Sequence, residues 1–127
     1  MFVTRLVGPE GADDICNPTW SEIEMAIRSL DGVTKTLVTL SPGDIDAHMG
    51  IGGGGTLLVC YATSDNCSFH TLVNPLGRTD TMLRLAAGGQ PGDYSERHCV
   101  SMATVLKAAK SYCDGGRVDD SLTWDIR

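Results

Sequence analysis

The sequence predicts an α+β fold, an antiparallel or mostly antiparallel sheet of about five to seven strands with two helices packed on one face. Three observations carry this expectation. One amphipathic helix opens on a capping box at Thr19-Trp20-Ser21-Glu22, and a second opens at Ser101. Between them lie several short β-branched or apolar runs separated by Gly, Pro, Asn and Asp, the pattern of strands joined by tight turns.

In chain order, residues 2–7 (FVTRLV) read as a first strand stopped by Gly8-Pro9, followed by a polar loop through Asp13 and Asp14. The Thr19 hydroxyl can accept from the Glu22 backbone N–H while the Glu22 carboxylate reaches back to Thr19. Trp20, Ile23, Ile27 and Leu30 then recur at steps of three and four and share one helical face. Asp31-Gly32 ends this helix, with Gly32 suited to a left-handed cap. The run 35–40 (KTLVTL) is a strand stopped by Ser41-Pro42-Gly43-Asp44. A short extended segment, 46–51, leads into Gly52-Gly53-Gly54-Gly55, read as a wide hairpin turn. The run 56–63 (TLLVCYAT) is apolar on both faces and reads as a central strand.

Ser64-Asp65-Asn66 is turn chemistry, residues 69–73 pair back, and 81–86 form a further strand ending at Gly88-Gly89. Residues 90–97, with Pro91-Gly92-Asp93, read as an exposed loop. Ser101 caps a second helix whose buried stripe is Met102, Val105, Leu106, Ala109, Tyr112 and Cys113, with Lys107, Lys110 and Ser111 facing solvent and Gly115-Gly116 as the stop. Leu122, Trp124 and Ile126 alternate with polar residues, so a last strand with one apolar face is expected. Trp20 and Trp124, on apolar faces, read as core anchors.

Composition narrows the function. Ten Lys plus Arg against sixteen Asp plus Glu leave a net charge of −6 on 127 residues, which opposes direct binding of nucleic acid. A hydrophobic share of 42% and a charged share of 20% exclude wholesale disorder. A chain of this size buries about two-thirds of its surface, enough for one core, so residues 1–127 are expected to form a single domain. The longest apolar run, 57–62, is of strand length, and no apolar stretch near Met1 has the length of a secretion signal. Five cysteines without regular spacing read as free thiols, and a soluble, cytoplasmic protein is the expectation.

Motifs for chemistry are weak. The glycine run lacks the following Lys and helix of a phosphate loop. Cys60, Cys67, His70 and the pair His98-Cys99 contain one spacing typical of a zinc site, that of Cys67 and His70, and Cys60 falls in a buried strand. Neither a metal nor a cofactor is expected. Asp44-x-Asp46 lacks the later glycine and distal Glu of a calcium loop. A rival reading is a small cysteine- or metal-dependent enzyme centred on Cys67, His70 and Cys99, which requires those side chains to converge beside a thiol of lowered pKa. The loop carboxylates give the stronger signal, because an acidic surface speeds encounter with a basic partner.

Taken together, the early helix PTWSEIEMAIRSLDG (18–32), the Met49-Gly50-Ile51 segment running into four glycines, the GGQ…YS segment (88–95), the Ser101 helix ending at Gly115-Gly116 and the closing Leu122-Thr123-Trp124-Asp125 resemble the immunity protein 1 family of bacterial polymorphic toxin systems. The resemblance implies an α+β protein without enzymatic activity that binds a cognate toxin to prevent self-killing. It further implies a toxin that is a nucleic-acid deaminase or nuclease, a basic partner that fits the −6 charge. No catalytic residue carries over. The residues expected to meet the toxin are Asp44, Asp46, Asp65, Asp93 and Glu96, with Tyr94 as an aromatic anchor. Neither direct nucleic-acid binding nor membrane binding is expected.

Overall fold

The computed structural model describes residues 2–8, 14–43 and 46–127. The elements are β1 (Arg5–Val7), β2 (Asp14–Cys16), α1 (Trp20–Arg28), β3 (Leu37–Ser41), β4 (His48–Gly54), β5 (Leu57–Thr63), β6 (Phe69–Leu72), β7 (Met82–Ala87), β8 (Gln90–Ser95), α2 (Met102–Gly115) and β9 (Trp124–Ile126). A short 3-10 turn, Glu96–His98, joins β8 to the approach of α2. Seven strands form one antiparallel sheet in the order β2-β1-β3-β4-β5-β6-β9, and β7 pairs with β8 in a separate ribbon. The expected α+β class and mostly antiparallel sheet are therefore present.

Both helices start as their sequences direct. Thr19 Oγ1 accepts the Glu22 N–H at 3.2 Å and Glu22 Oε1 accepts the Thr19 N–H at 3.0 Å, the complete capping box. Ser101 Oγ accepts the Thr104 N–H at 3.3 Å, and Gly116 closes α2 in the left-handed region at φ +69°. Helix α1 stops at Arg28 with Ser29 as its cap, before Asp31-Gly32. Asp31 instead ties the following turn, its carboxylate accepting the N–H groups of Val33, Thr34 and Lys35 at 2.9 Å each. Those donors hold its pKa well below the usual carboxylate range.

Alternation along the strands sorts side chains onto two faces. Val38, Leu40, Met49, Ile51, Leu58, Cys60 and Leu72 join Ile23 and Ile27 of α1 and Val105, Ala108 and Ala109 of α2 in one buried cluster. Trp20 and Trp124 pack against it, partly exposed. The Lys110 ammonium lies 5.2 Å from the Trp20 ring centroid, and Trp124 Nε1 donates to the Asp119 carbonyl at 3.0 Å. The opposite face carries Leu37, Gly50, Gly52, Val59, Tyr61 and Thr71, and there the β7–β8 ribbon crosses the sheet with the Ala87 methyl set against Gly52.

Besides the end of α1, four sequence expectations change. Residues 14–16 are a strand rather than loop, too short and acidic to show a period. The glycines 52–54 lie inside β4 and only Gly55-Thr56 turn, because the ribbon leaves no room for a side chain at Gly52 and the backbone of Asp31 and Gly32 leaves none at Gly54. Residues 90–95 are strand β8, not an exposed loop. Pro91, opposite Ala86, is tolerated because each strand of a two-stranded ribbon has one edge with no ladder to donate to. Finally, β9 is confined to Trp124–Ile126 and Ile126 is 68% exposed, so its apolar face is incomplete.

Candidate partner-binding face

The sheet face away from the helices holds a cleft of about 380 Å³ beside the ribbon. Its floor is built from alternate positions of three strands: Gly50 and Gly52 of β4, Val59 and Tyr61 of β5, and Phe69 and Thr71 of β6. Leu37, Ala87, Tyr94 and Arg127 form its sides. The glycines are what make it concave, since side chains there would fill it.

Tyr61 sits directly opposite Gly50 in the β4–β5 register, and its ring covers the glycine so closely that a Cβ would overlap it. The phenol meets His48 Nε2 at 3.1 Å, and partial burial raises its pKa, so it stays a neutral hydrogen-bonding group. The His48 and Tyr61 rings meet edge to face at 5.4 Å between centroids, and Tyr61 and Phe69 at 5.8 Å. Three rings on adjacent strands thus form a continuous aromatic surface, with Tyr94 facing them from the ribbon.

The ribbon is held at both ends. At its tip, Gly89 N–H donates to Thr36 Oγ1 at 2.7 Å and Gly88 N–H to the Thr36 carbonyl at 3.3 Å. At its base, Asn74 N–H donates to the Arg97 carbonyl at 2.6 Å, and Glu96 N–H to that of Thr81 at 2.8 Å. Asp125 of β9 completes the base. It accepts two parallel bonds from Arg97, Nε and Nη2 both at 3.0 Å, and meets His98 Nε2 at 2.7 Å. These donors, Arg97 first, hold the Asp125 carboxyl down to about 2.

Of the six residues expected to meet a partner, Tyr94 lines the cleft. Asp46 is exposed just ahead of β4, and Asp65 is exposed in the β5–β6 turn. The pairing of His48 with Thr63 brings these two to one end of the sheet. Asp65 also shapes its own turn, accepting the N–H groups of Ser68 and Cys67 at 2.9 Å, which lowers its pKa. Asp93 is exposed on β8 and pairs across the ribbon with Arg84 at 3.5 Å. Glu96 accepts the Arg78 N–H at 2.9 Å at the ribbon base. Asp44 lies outside the described residues.

Cys67, His70 and Cys99 do not come together. Cys67 is exposed in the turn beyond Thr63, whereas Cys99 is buried next to Val100, which bridges Leu58 at the opposite end of β5. Five residues of strand between those ends span about 17 Å. The Cys99 thiol donates to the Ser95 carbonyl, and burial raises its pKa, the reverse of activation. Burial also pushes Cys60 and Cys113 up to about 12. Among the described residues no three His, Cys, Asp or Glu side chains are placed to hold a metal ion. No described helix is long and apolar enough to cross a membrane.

The aromatic floor and the Asp125 cluster escaped sequence reasoning. Glycines at i and i+2 of a strand facing a tyrosine and a phenylalanine are the one trace of the floor in the sequence. No curated protein matches the chain. The family model of immunity protein Imm1 matches residues 11–125, from ahead of β2 into β9, and the chain belongs to the Imm1 immunity protein family.

Proposed function

We propose that this protein neutralises one cognate toxin domain by binding it through the sheet face described above and covering the toxin's substrate cleft, without turning over any substrate itself. The observation that carries this reading is the family match across residues 11–125. The toxin is a basic, nucleic-acid-directed deaminase or nuclease, and the −6 charge supports that choice of partner. The aromatic cleft supplies the apolar anchor, with Tyr94 at its edge. Asp44, Asp46, Asp65, Asp93 and Glu96 are the carboxylates assigned to meet basic groups where the toxin would hold phosphate. The protein acts in the cytoplasm, where such a toxin would find its target.

Co-expression with the product of the adjacent gene tests this. Cells that survive the toxin only when this protein is present support the reading. A harmless neighbour, or one that kills regardless, removes it.

A further inference from the structure

The floor of the aromatic cleft holds one polar group that the rest of the fold does not use. Thr71 lines the cleft and is 8% exposed, yet its hydroxyl has no hydrogen-bond partner among the described residues. It stands in the cross-strand row Gly50-Tyr61-Thr71-Asp125, whose members share the ribbon face of the sheet. Its polar neighbours in that row are already engaged. The Tyr61 ring leans over Gly50, away from β6, and its phenol meets His48 at 3.1 Å. The Asp125 carboxylate is taken up by Arg97 and His98. Among the described buried and half-buried residues, the one partnerless polar side-chain atom sealed from the surface is the Tyr112 hydroxyl, so that of Thr71 is within reach from the cleft. A hydroxyl so enclosed calls for a partner from whatever fills the space above it.

We infer that the Thr71 hydroxyl receives the phenol of a tyrosine that the toxin inserts into the cleft from a loop otherwise basic. The inference rests on the proposed function and names the side chain that fills its cleft. The walls select an aromatic body. Phe69 lies two residues from Thr71 on the same face of β6, and Tyr61 and Tyr94 line the same space, so an entering ring meets other rings. The floor selects a polar tip, because a phenylalanine would seal the Thr71 hydroxyl without a partner. A phenol oxygen both donates and accepts, and so matches that hydroxyl whichever way its proton turns. The rim excludes a cation. Arg127 borders the cleft without an acidic partner among the described residues, and no Asp or Glu lines it. Basic neighbours of the tyrosine find carboxylates outside the cleft, at Asp46 and Asp65 on the end of the sheet where His48 pairs with Thr63.

The test is titration of the full chain with p-cresol, toluene and methylguanidinium, the side-chain heads of tyrosine, phenylalanine and arginine, followed by the NMR shifts of the Thr71 methyl and the Phe69 ring. p-Cresol is expected to shift both saturably and to bind at least about tenfold more tightly than either other probe, although toluene is the more hydrophobic. Thr71→Val keeps the shape and the β-branching of the residue, so it is expected to fold. In that variant the preference is expected to vanish, with toluene binding at least as tightly as p-cresol, and toxin affinity is expected to fall about tenfold. Shifts that never saturate, toluene or methylguanidinium matching p-cresol, a p-cresol preference that survives in Thr71→Val, or unchanged toxin affinity in that variant would overturn the assignment. The last of these leaves neutralisation itself standing, which only the co-expression result removes.

Discussion

The ring of Tyr61 lies across Gly50, its direct partner on the neighbouring strand, and the pair sets the depth of the aromatic cleft. A methyl at Gly50 would strike the outer ring atoms of Tyr61 and not the backbone, so the ring gives way first. Gly50→Ala is therefore expected to fold, with a cost of about 1–3 kcal/mol in urea unfolding. The swung ring would lose its 3.1 Å contact with His48 and fill the cleft. Under the proposed function, toxin affinity then falls at least about tenfold, which calorimetric titration would register. Unchanged affinity would move the interface away from this face.

Asp125 binds Arg97 and His98 together, so Asp125→Asn is expected to destabilise the fold by about 1–3 kcal/mol at neutral pH. The folded carboxyl sits near 2 against an ordinary 3.8, a depressed value. The stabilisation is thus complete above 3.8 and is lost as pH falls through 2. Chemical denaturation of both proteins at several pH values should show the wild-type advantage shrinking within that window.

Charge steering makes a kinetic prediction for the proposed complex. Its association rate is expected to drop about tenfold or more as ionic strength rises from about 0.05 to about 0.5 M, with a smaller change in dissociation. Asp46→Lys and Asp65→Lys are expected to reproduce part of that loss at low salt, measured by stopped flow. Salt-independent association would remove the acidic surface from the mechanism while leaving neutralisation intact.

Tyr112 offers a stability test without any ligand. Its phenol is buried with no hydrogen-bond partner among the described residues, and burial pushes its pKa up to about 12. Removing the oxygen removes its desolvation cost, so Tyr112→Phe is expected to gain about 1 kcal/mol in urea unfolding. A loss of stability would mean that the hydroxyl is satisfied after all.

How much of this was legible beforehand depends on the range of the interactions involved. Thr19 and Glu22 are three positions apart and meet in the capping box as their spacing implies. The central strand 57–63 was equally plain, because burial on both faces leaves an unbroken apolar run. Strand β8 was hidden by Pro91-Gly92, whose turn chemistry is overridden by pairing with β7. The cleft was hidden for a different reason. Gly50 and Tyr61 become neighbours only through the β4–β5 register, and Tyr94 joins them only when the ribbon folds over. In sequence Tyr94 reads as an aromatic in a loop, and the structure puts it on a strand at the cleft wall. The separation of Cys67 from Cys99 was beyond local reasoning too, since it follows from which end of β5 each one reaches.

Anchorage of the ribbon by Thr36 at one extremity and by Asp125 at the other makes it a beam rather than a flap. A beam has little freedom to surrender when something settles beneath it. The width of the gap is fixed before any visitor arrives, so the entropy of ordering that gap is met during folding and not charged against each encounter.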